Sequence, residues 1–282
     1  MQTEQLDKRL NWGAVCSISV IHVCGLIGLI ILAVQWALGI SVWKEIVVCI
    51  ILVYVRMFGI TAGYHRLLSH VSYKTSRWFQ FILALLGSTA AQWGPLKWPA
   101  LHRHHHRHSD QPDDIHSVRQ DGFWEAHILW VVRKKNSCVS YEQIRDFAKY
   151  WELRALDKLY FIPPALLGVA CYLWGGVDTL FVGFFLSTVL LYHLTYSINS
   201  LMHVMGKKVY VTVTEDDSRN SFLLALLTMG EGWHNNHHRY PSSERQGFRW
   251  WEVDMTHYLL VLLSWIGLVW DLRRPPQELS AS

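Results

Sequence analysis

Runs of apolar residues broken at short polar intervals dominate the chain. Val15 to Ile40 is apolar except for Ser17, Ser19, His22 and Gln35. Such a run spans a bilayer with some tilt and exceeds the core of a signal peptide. Val42 to Ile60 is a second run, with Lys44 and Glu45 at its start and Arg56 near its end. Charges so placed belong at an interface or against protein. A turn at Gly39 to Trp43 makes the two a hairpin. Farther on, Phe161 to Leu173 is apolar after Pro163 and Pro164. Trp174, Gly175, Gly176 and Asp178 read as a turn, and Leu180 to Leu194 runs apolar again. Trp78 to Trp93 and Tyr258 to Trp270 fall short of the roughly 20 residues a span needs, and read equally as interfacial or core helices. The pattern predicts an all-α integral membrane protein with four transmembrane helices in two hairpins. The expected spans are near 15–40, 44–62, 161–176 and 179–198. Segments 63–160 and 199–282 form a cytoplasmic helical cap, within one domain covering 1–282.

Composition agrees. Of 282 residues, 51% are hydrophobic and 17% charged, against about 25% charged in soluble domains. Trp, Tyr and Phe are abundant, which suits membrane interfaces. The five cysteines, Cys16, Cys24, Cys49, Cys138 and Cys171, are odd in number and scattered, which excludes a disulfide framework. A net charge of +4 is too small to argue for nucleic acid. Lys and Arg crowd between Thr61 and Tyr160 and again beyond Lys207, while Lys44 sits in a proposed outer turn. The positive-inside rule therefore places both termini and the middle segment in the cytoplasm.

Histidine is the outlier, at 16 residues. His65 and His70 stand in HRLLSH, and His102, His105 and His106 in HRHHH. His203 ends NSLMH, and His234, His237 and His238 lie in EGWHNNHH. The predicted topology puts all nine near one membrane face. On a helix, HxxHH points three imidazoles to one side. His65 and His70, five apart on an α-helix, are turned about 140° from each other, which suits two neighbouring metals better than one. Asn199, one turn before His203, is placed to hold a water. Nine imidazoles exceed one site of about four ligands, and imidazole suits zinc, copper, iron and nickel alike. His22, His127, His193 and His257 read as satisfied polar residues, and His104 and His108 fall outside the repeated spacing. His116 and the acids Glu231, Asp113, Asp114 and Asp121 are candidates to orient imidazole N–H groups. Only one E-x-x-H occurs, and HExxH, Walker, GxGxxG, GxSxG and CxxC motifs are absent.

The four boxes, in this order and spacing from Gly63 to Pro241, resemble those of the integral-membrane fatty acyl desaturases, most of all the delta-9 acyl-CoA desaturase-like family. The resemblance implies a non-haem di-iron centre, O₂ and two external electrons, and a cis double bond formed in a saturated acyl chain. It implies one iron on His65, His102, His234 and His237, with Asn199 acting through water. The other iron would sit on His70, His105, His106, His203 and His238. Expected substrate-side residues are Cys49, Val53, Thr195 and Tyr196, with Trp93, Trp98 and Trp130 as further candidates. Family members acting on acyl-CoA carry an Arg-Asp pair where this chain has Ala100 and Leu101. The basic run Arg133, Lys134 and Lys135 does match one that faces an anionic headgroup. The substrate is thus an acyl chain on CoA or on a lipid. The His-Pro-Gly-Gly signature of a fused cytochrome b5 is missing, so a separate donor is expected: ferredoxin, rubredoxin, or cytochrome b5 with its reductase. The membrane would be the plasma membrane in a bacterium or the endoplasmic reticulum in a eukaryote.

Two other readings use the same residues. A membrane hydroxylase of acyl lipids or alkanes would share the metal centre and differ in substrate placement. A metal transporter would carry its ligands inside the spans, where only His22 and His193 lie.

Overall fold

The computed structural model describes residues 9–137 and 140–276. Cys138 and the chain ends lie outside them. The order of elements is α1 (Trp12–Ala37), α2 (Trp43–Phe58), a π-helical segment (Gly59–Ser69), β1 (Lys74–Thr75), α3 (Arg77–Ser88) and α4 (Lys97–His108). Short helices follow: α5 (Val118–Asp121), α6 (Phe123–His127), α7 (Arg145–Ala148) and α8 (Trp151–Lys158). Then come α9 (Ile162–Asp178), a second π-helical segment (Thr179–Leu186), α10 (Ser187–Ser200), α11 (Phe222–Leu227), α12 (His234–Arg239), α13 (Met255–Trp265) and β2 (Val269–Trp270). The two strands form a single antiparallel pair, Lys74 opposite Trp270.

Among the described residues, three helical stretches are long and apolar enough to cross a membrane: Trp12–Ala37, Trp43–Ser69 and Ile162–His203. The third has non-helical angles at Gly175 and Gly176, the latter at φ 68°. α1 is the clearest lipid-facing helix. Val20, Val23, Leu26, Leu29, Ile30 and Val34 are at least half exposed, and its buried residues are Gly25 and Gly28. Small residues allow close helix approach where lipid is as apolar as any side chain. A Cβ on Gly28 would lie 2.6 Å from the Phe181 carbonyl oxygen, so bare glycine sets this contact.

α3 and α13, with 12 and 11 residues, are too short to span. α3 is instead amphipathic. Phe79, Leu83 and Ala84 face the core, while Trp78, Ile82 and Leu85 are exposed. The main core forms around the first π-helical segment, where Met57, Ile60, Tyr64, Leu67 and Leu68 meet Leu83, Leu96, Leu153 and Leu260. That segment is buried on all sides. A Cβ on Gly59 would sit 2.6 Å from the Gly87 amide nitrogen, so α3 lies directly on it. Cys16, Cys24, Cys49 and Cys171 are free thiols.

Replacing Gly28 with Leu forces α1 off the Phe181 backbone. We expect a loss of about 1–3 kcal/mol, read as a lower unfolding temperature in detergent. An unchanged temperature would show that α1 packs elsewhere.

Candidate metal centre and acyl cavity

Four segments deliver the nine histidines: the first π-helical segment, α4, the 3₁₀ turn Leu201–His203 that ends α10, and α12. Each is fixed by buried polar contacts. Asp157 accepts the Leu96 and Lys97 amides, both at 2.9 Å, and so caps the start of α4. Arg103 on α4 donates to the Leu68 and Ser69 carbonyls at 2.7 and 2.8 Å, tying α4 to the end of the π-helical segment. Arg66, 1% exposed, donates to Glu231 at 3.0 Å, to Asp254 at 2.9 Å and to the Glu244 carbonyl at 2.7 Å. This locks the HRLLSH box to the EGWHNNHH loop.

The histidines form two groups. His65, His70, His102, His106 and His237 make one; His105, His203, His234 and His238 make the other. Within each, the ligating nitrogens lie within 4.8 Å of one another. The groups abut, with the His106 and His238 rings 4.4 Å apart.

This partition corrects the one implied by the resemblance: His70, His106 and His234 change sides. Backbone geometry gives the reason. HRLLSH is π-helical, and the His70 amide donates to the His65 carbonyl at 3.2 Å, an i→i+5 bond. One such turn brings residues five apart onto the same face, and the two rings lie 4.9 Å apart. In each HxxHH box, the first and last histidines are four apart, only about 40° around an α-helix, while the middle one lies on the opposite flank of that face, about 60° from the first and about 100° from the last. So His102 and His106 share one group and His105 joins the other. His234 and His238 share one, and His237 crosses over.

The donor sets fit metal. In the larger group, imidazole Nε2 atoms face each other in sequence. His65 meets His237 at 3.0 Å, His237 meets His106 at 3.0 Å, His106 meets His102 at 3.0 Å, and His102 meets His70 at 2.9 Å. His65 Nδ1 lies 2.5 Å from Glu231, which orients the ring and turns Nε2 toward His237. Nitrogens about 2.1 Å from one ion and near right angles lie about 3.0 Å apart. In the smaller group, His105 Nδ1 donates to Asp114 at 2.8 Å, His203 Nδ1 to Asp110 at 2.9 Å and His238 Nδ1 to Asp216 at 3.0 Å. The Nε2 atoms of His105 and His238 are buried without a partner, and His203 Nε2 is 3.2 Å from that of His234. Carboxylates behind ligating rings orient them and raise their basicity.

Burial pushes His70, His102, His106, His234 and His237 well below the ordinary imidazole value, so these rings are neutral, the form that binds metal. Burial acts the same way on His105, but the charge and hydrogen bond of Asp114 outweigh it and raise that ring. Burial opposes ionised Asp110, Asp114 and Asp216, yet their imidazole partners hold all three well below the carboxylate range.

Of the expected orienting acids, Glu231 and Asp114 take that place. Asp113 meets His104 through its backbone carbonyl, and Asp121 acts electrostatically on Arg133. Asp110 and Asp216 were not foreseen; they lie in loops without periodicity, and only chain closure brings them to the rings. His116 packs on His105 with centroids 4.2 Å apart. His22, His193, His127 and Ser200 join end to end at 3.2, 3.0 and 2.8 Å through opposite ring nitrogens, so they share no centre.

A cavity of about 730 Å³ runs along both groups, within the range of ligand pockets. His65, His102, His105 and His234 form part of its wall, with Asn199 beside them. Trp93, Trp98, Trp130, Thr195 and Tyr196 line it. Cys49 and Val53 do not. Cys49 packs against Val182 and Leu186 on the far side of α2, and Met57, Ile60 and Thr61, farther along the same chain, face the cavity. Arg133 and Lys134 are also off the wall: Arg133 pairs with Glu125 and Lys134 is exposed. Gln92, not foreseen, donates to Thr195 at 2.9 Å within the lining.

The pattern of the fatty acid desaturase family matches residues 41–265. The chain belongs to that family. It is 35% identical over 239 residues to delta-9 acyl-lipid desaturase 1 of Arabidopsis thaliana, covering 84% of this chain and 77% of that one. It is 37% identical over 245 residues to the sn-1 stearoyl-lipid 9-desaturase of Synechocystis sp., covering 85% and 75%. It is 35% identical over 279 residues to the acyl-CoA C20 delta5-desaturase of Anemone leveillei, covering 97% and 88%. This desaturase is therefore an O₂-dependent oxidoreductase with histidine groups fit for a binuclear metal site.

Asp216→Asn keeps the shape at His238 and removes the charge. We expect metal affinity to fall about 10–100-fold, measured by competition with a chelator. Unchanged affinity would remove Asp216 from any role at the metal.

Proposed function

We propose that this desaturase inserts a cis double bond, at the delta-9 position, into a saturated acyl chain carried on a membrane lipid, using two irons. The observation that carries this reading is the cavity wall, where His65, His102, His105 and His234, from both groups, meet a narrow space otherwise lined largely by aromatic and aliphatic residues. His65, His70, His102, His106 and His237 would hold one iron. His105, His203, His234 and His238 would hold the other, with Asn199 acting through water. Bound iron supplies the oxidising power that no side chain has. Overall, one hydrogen leaves each of two adjacent carbons, and two electrons and two protons from outside complete the reduction of O₂ to two waters. The chain's own residues hold the acyl chain beside the histidines and keep water away from the reacting carbons. Gln92, Thr195 and Tyr196 fix the bend, and Trp98, stacked on His102 with centroids 5.1 Å apart, closes one side. Electrons come from a separate carrier.

A lipid-linked substrate is favoured over CoA. Ala100 and Leu101 are buried, at the place where an Arg-Asp pair would meet the nucleotide. One face of the lipid-exposed α1, from Gly13 to Ile21, forms a wall of the cavity, so the cavity borders the bilayer. In the same reading the break at Gly175 and Gly176 folds the third apolar stretch into two spans. A Cβ on Gly175 would lie 2.9 Å from Lys44 Nζ; that turn and the first hairpin's turn share one end of the bundle. Four spans in two hairpins, with the histidines at the cytoplasmic end, follow.

Cells expressing the protein should gain a monounsaturated acyl chain that is absent with His105→Ala. Lipid mass spectrometry with double-bond location by derivatisation measures this. A hydroxylated product in its place would overturn desaturation. A double bond confined to the CoA pool would overturn the lipid carrier.

A further inference from the structure

This inference rests on reading the 730 Å³ space as the acyl cavity. A second cavity of about 330 Å³ lies between α9 and the π-helical segment Thr179–Leu186. Val169 and Tyr172 on its rim are 55% and 51% exposed on an apolar helix, so it opens toward lipid. Ala165 and Phe184 line both cavities. Phe184 is 7% exposed, and its buried ring stands between the two spaces.

The surroundings of that ring are specific. On the groove side, a Cβ added to Gly168 would meet the Phe184 ring at 3.4 Å, in ordinary van der Waals contact. On the other side, the Arg56 guanidinium lies 5.9 Å from the ring centroid, within cation–π range. Arg56 is 1% exposed. It donates to Thr188 at 2.7 Å, Ser187 at 2.6 Å and the Leu52 carbonyl at 2.9 Å. An arginine inside a span is expensive and marks function; here it lies beside an aromatic ring that lines both cavities.

We propose that Phe184 is the partition that sets the longest acyl chain the enzyme accepts. The methyl end of the substrate stops against the ring. Without the ring, the tail continues past Ala165 into the lipid-facing groove, while the carbons beside the histidines stay in place.

The test uses the purified, iron-loaded enzyme with lipids bearing palmitoyl, stearoyl or eicosanoyl chains. In Phe184→Ala, the eicosanoyl-to-palmitoyl conversion ratio should rise about tenfold, the discrimination that a small change of pocket size gives. Phe184→Leu, a milder change less disruptive to folding, should shift the same way and less. Gly168→Val crowds the ring from the groove side and should shift preference toward palmitoyl. Active variants with an unchanged length profile would overturn the partition. A lipid whose acyl chain ends in a diazirine separates this from the underlying reading. Photolabelling at Ala165 or Phe184 supports the partition. Labelling only elsewhere on the cavity wall overturns the partition and leaves the acyl cavity standing. Labelling outside the cavity altogether overturns both.

Discussion

Five imidazole nitrogens are packed Nε2 to Nε2 at about hydrogen-bond distance, and neutral rings do not carry the protons to fill those contacts. His65 shows this most directly, because its Nδ1 faces Glu231 at 2.5 Å while its Nε2 faces His237 at 3.0 Å. Lone pairs aimed at one another repel, and buried polar atoms without partners are destabilising. A cation removes both problems. The rest of the molecule is arranged to keep those rings aimed inward.

That arrangement needs charge behind the rings as well as metal before them. Glu231, Asp110, Asp114 and Asp216 each hold one Nδ1, and each is itself held, Glu231 by the buried Arg66 and Gln246. Arg66 also grips Asp254, which caps α13. The short helix α13 is thereby tied to the metal centre, though it contributes no ligand.

The membrane supplies a second constraint. Apolar helices can expose their outer faces only in lipid, and close approach inside the bundle relies on small residues such as Gly28. The helices that anchor the protein also wall its cavity: α1 on one side, the ends of α2 and α10 on others. The cavity thus lies next to the histidines and within a few residues of the exposed apolar face of α1.

The long apolar helices and the histidine-rich boxes were legible in the sequence, because hydropathy and local spacing need only neighbours along the chain. The assignment of each histidine to a group was not. His70 sits beside His65 because the segment is π-helical, a conformation with no pattern of its own in HRLLSH, and burial against α3 accompanies it. Asp110 and Asp216 reach His203 and His238 through loops whose closure depends on the whole cap. Cys49 lies on the same helical run as the cavity-lining Met57, but the packing of α2 against the second π-helical segment turns it away. The sequence alone thus determined which groups exist and that long apolar helices carry them, since those follow from composition and period. Only the tertiary structure decided which nitrogens converge and which side chains face the cavity, since those depend on contacts between segments far apart in sequence.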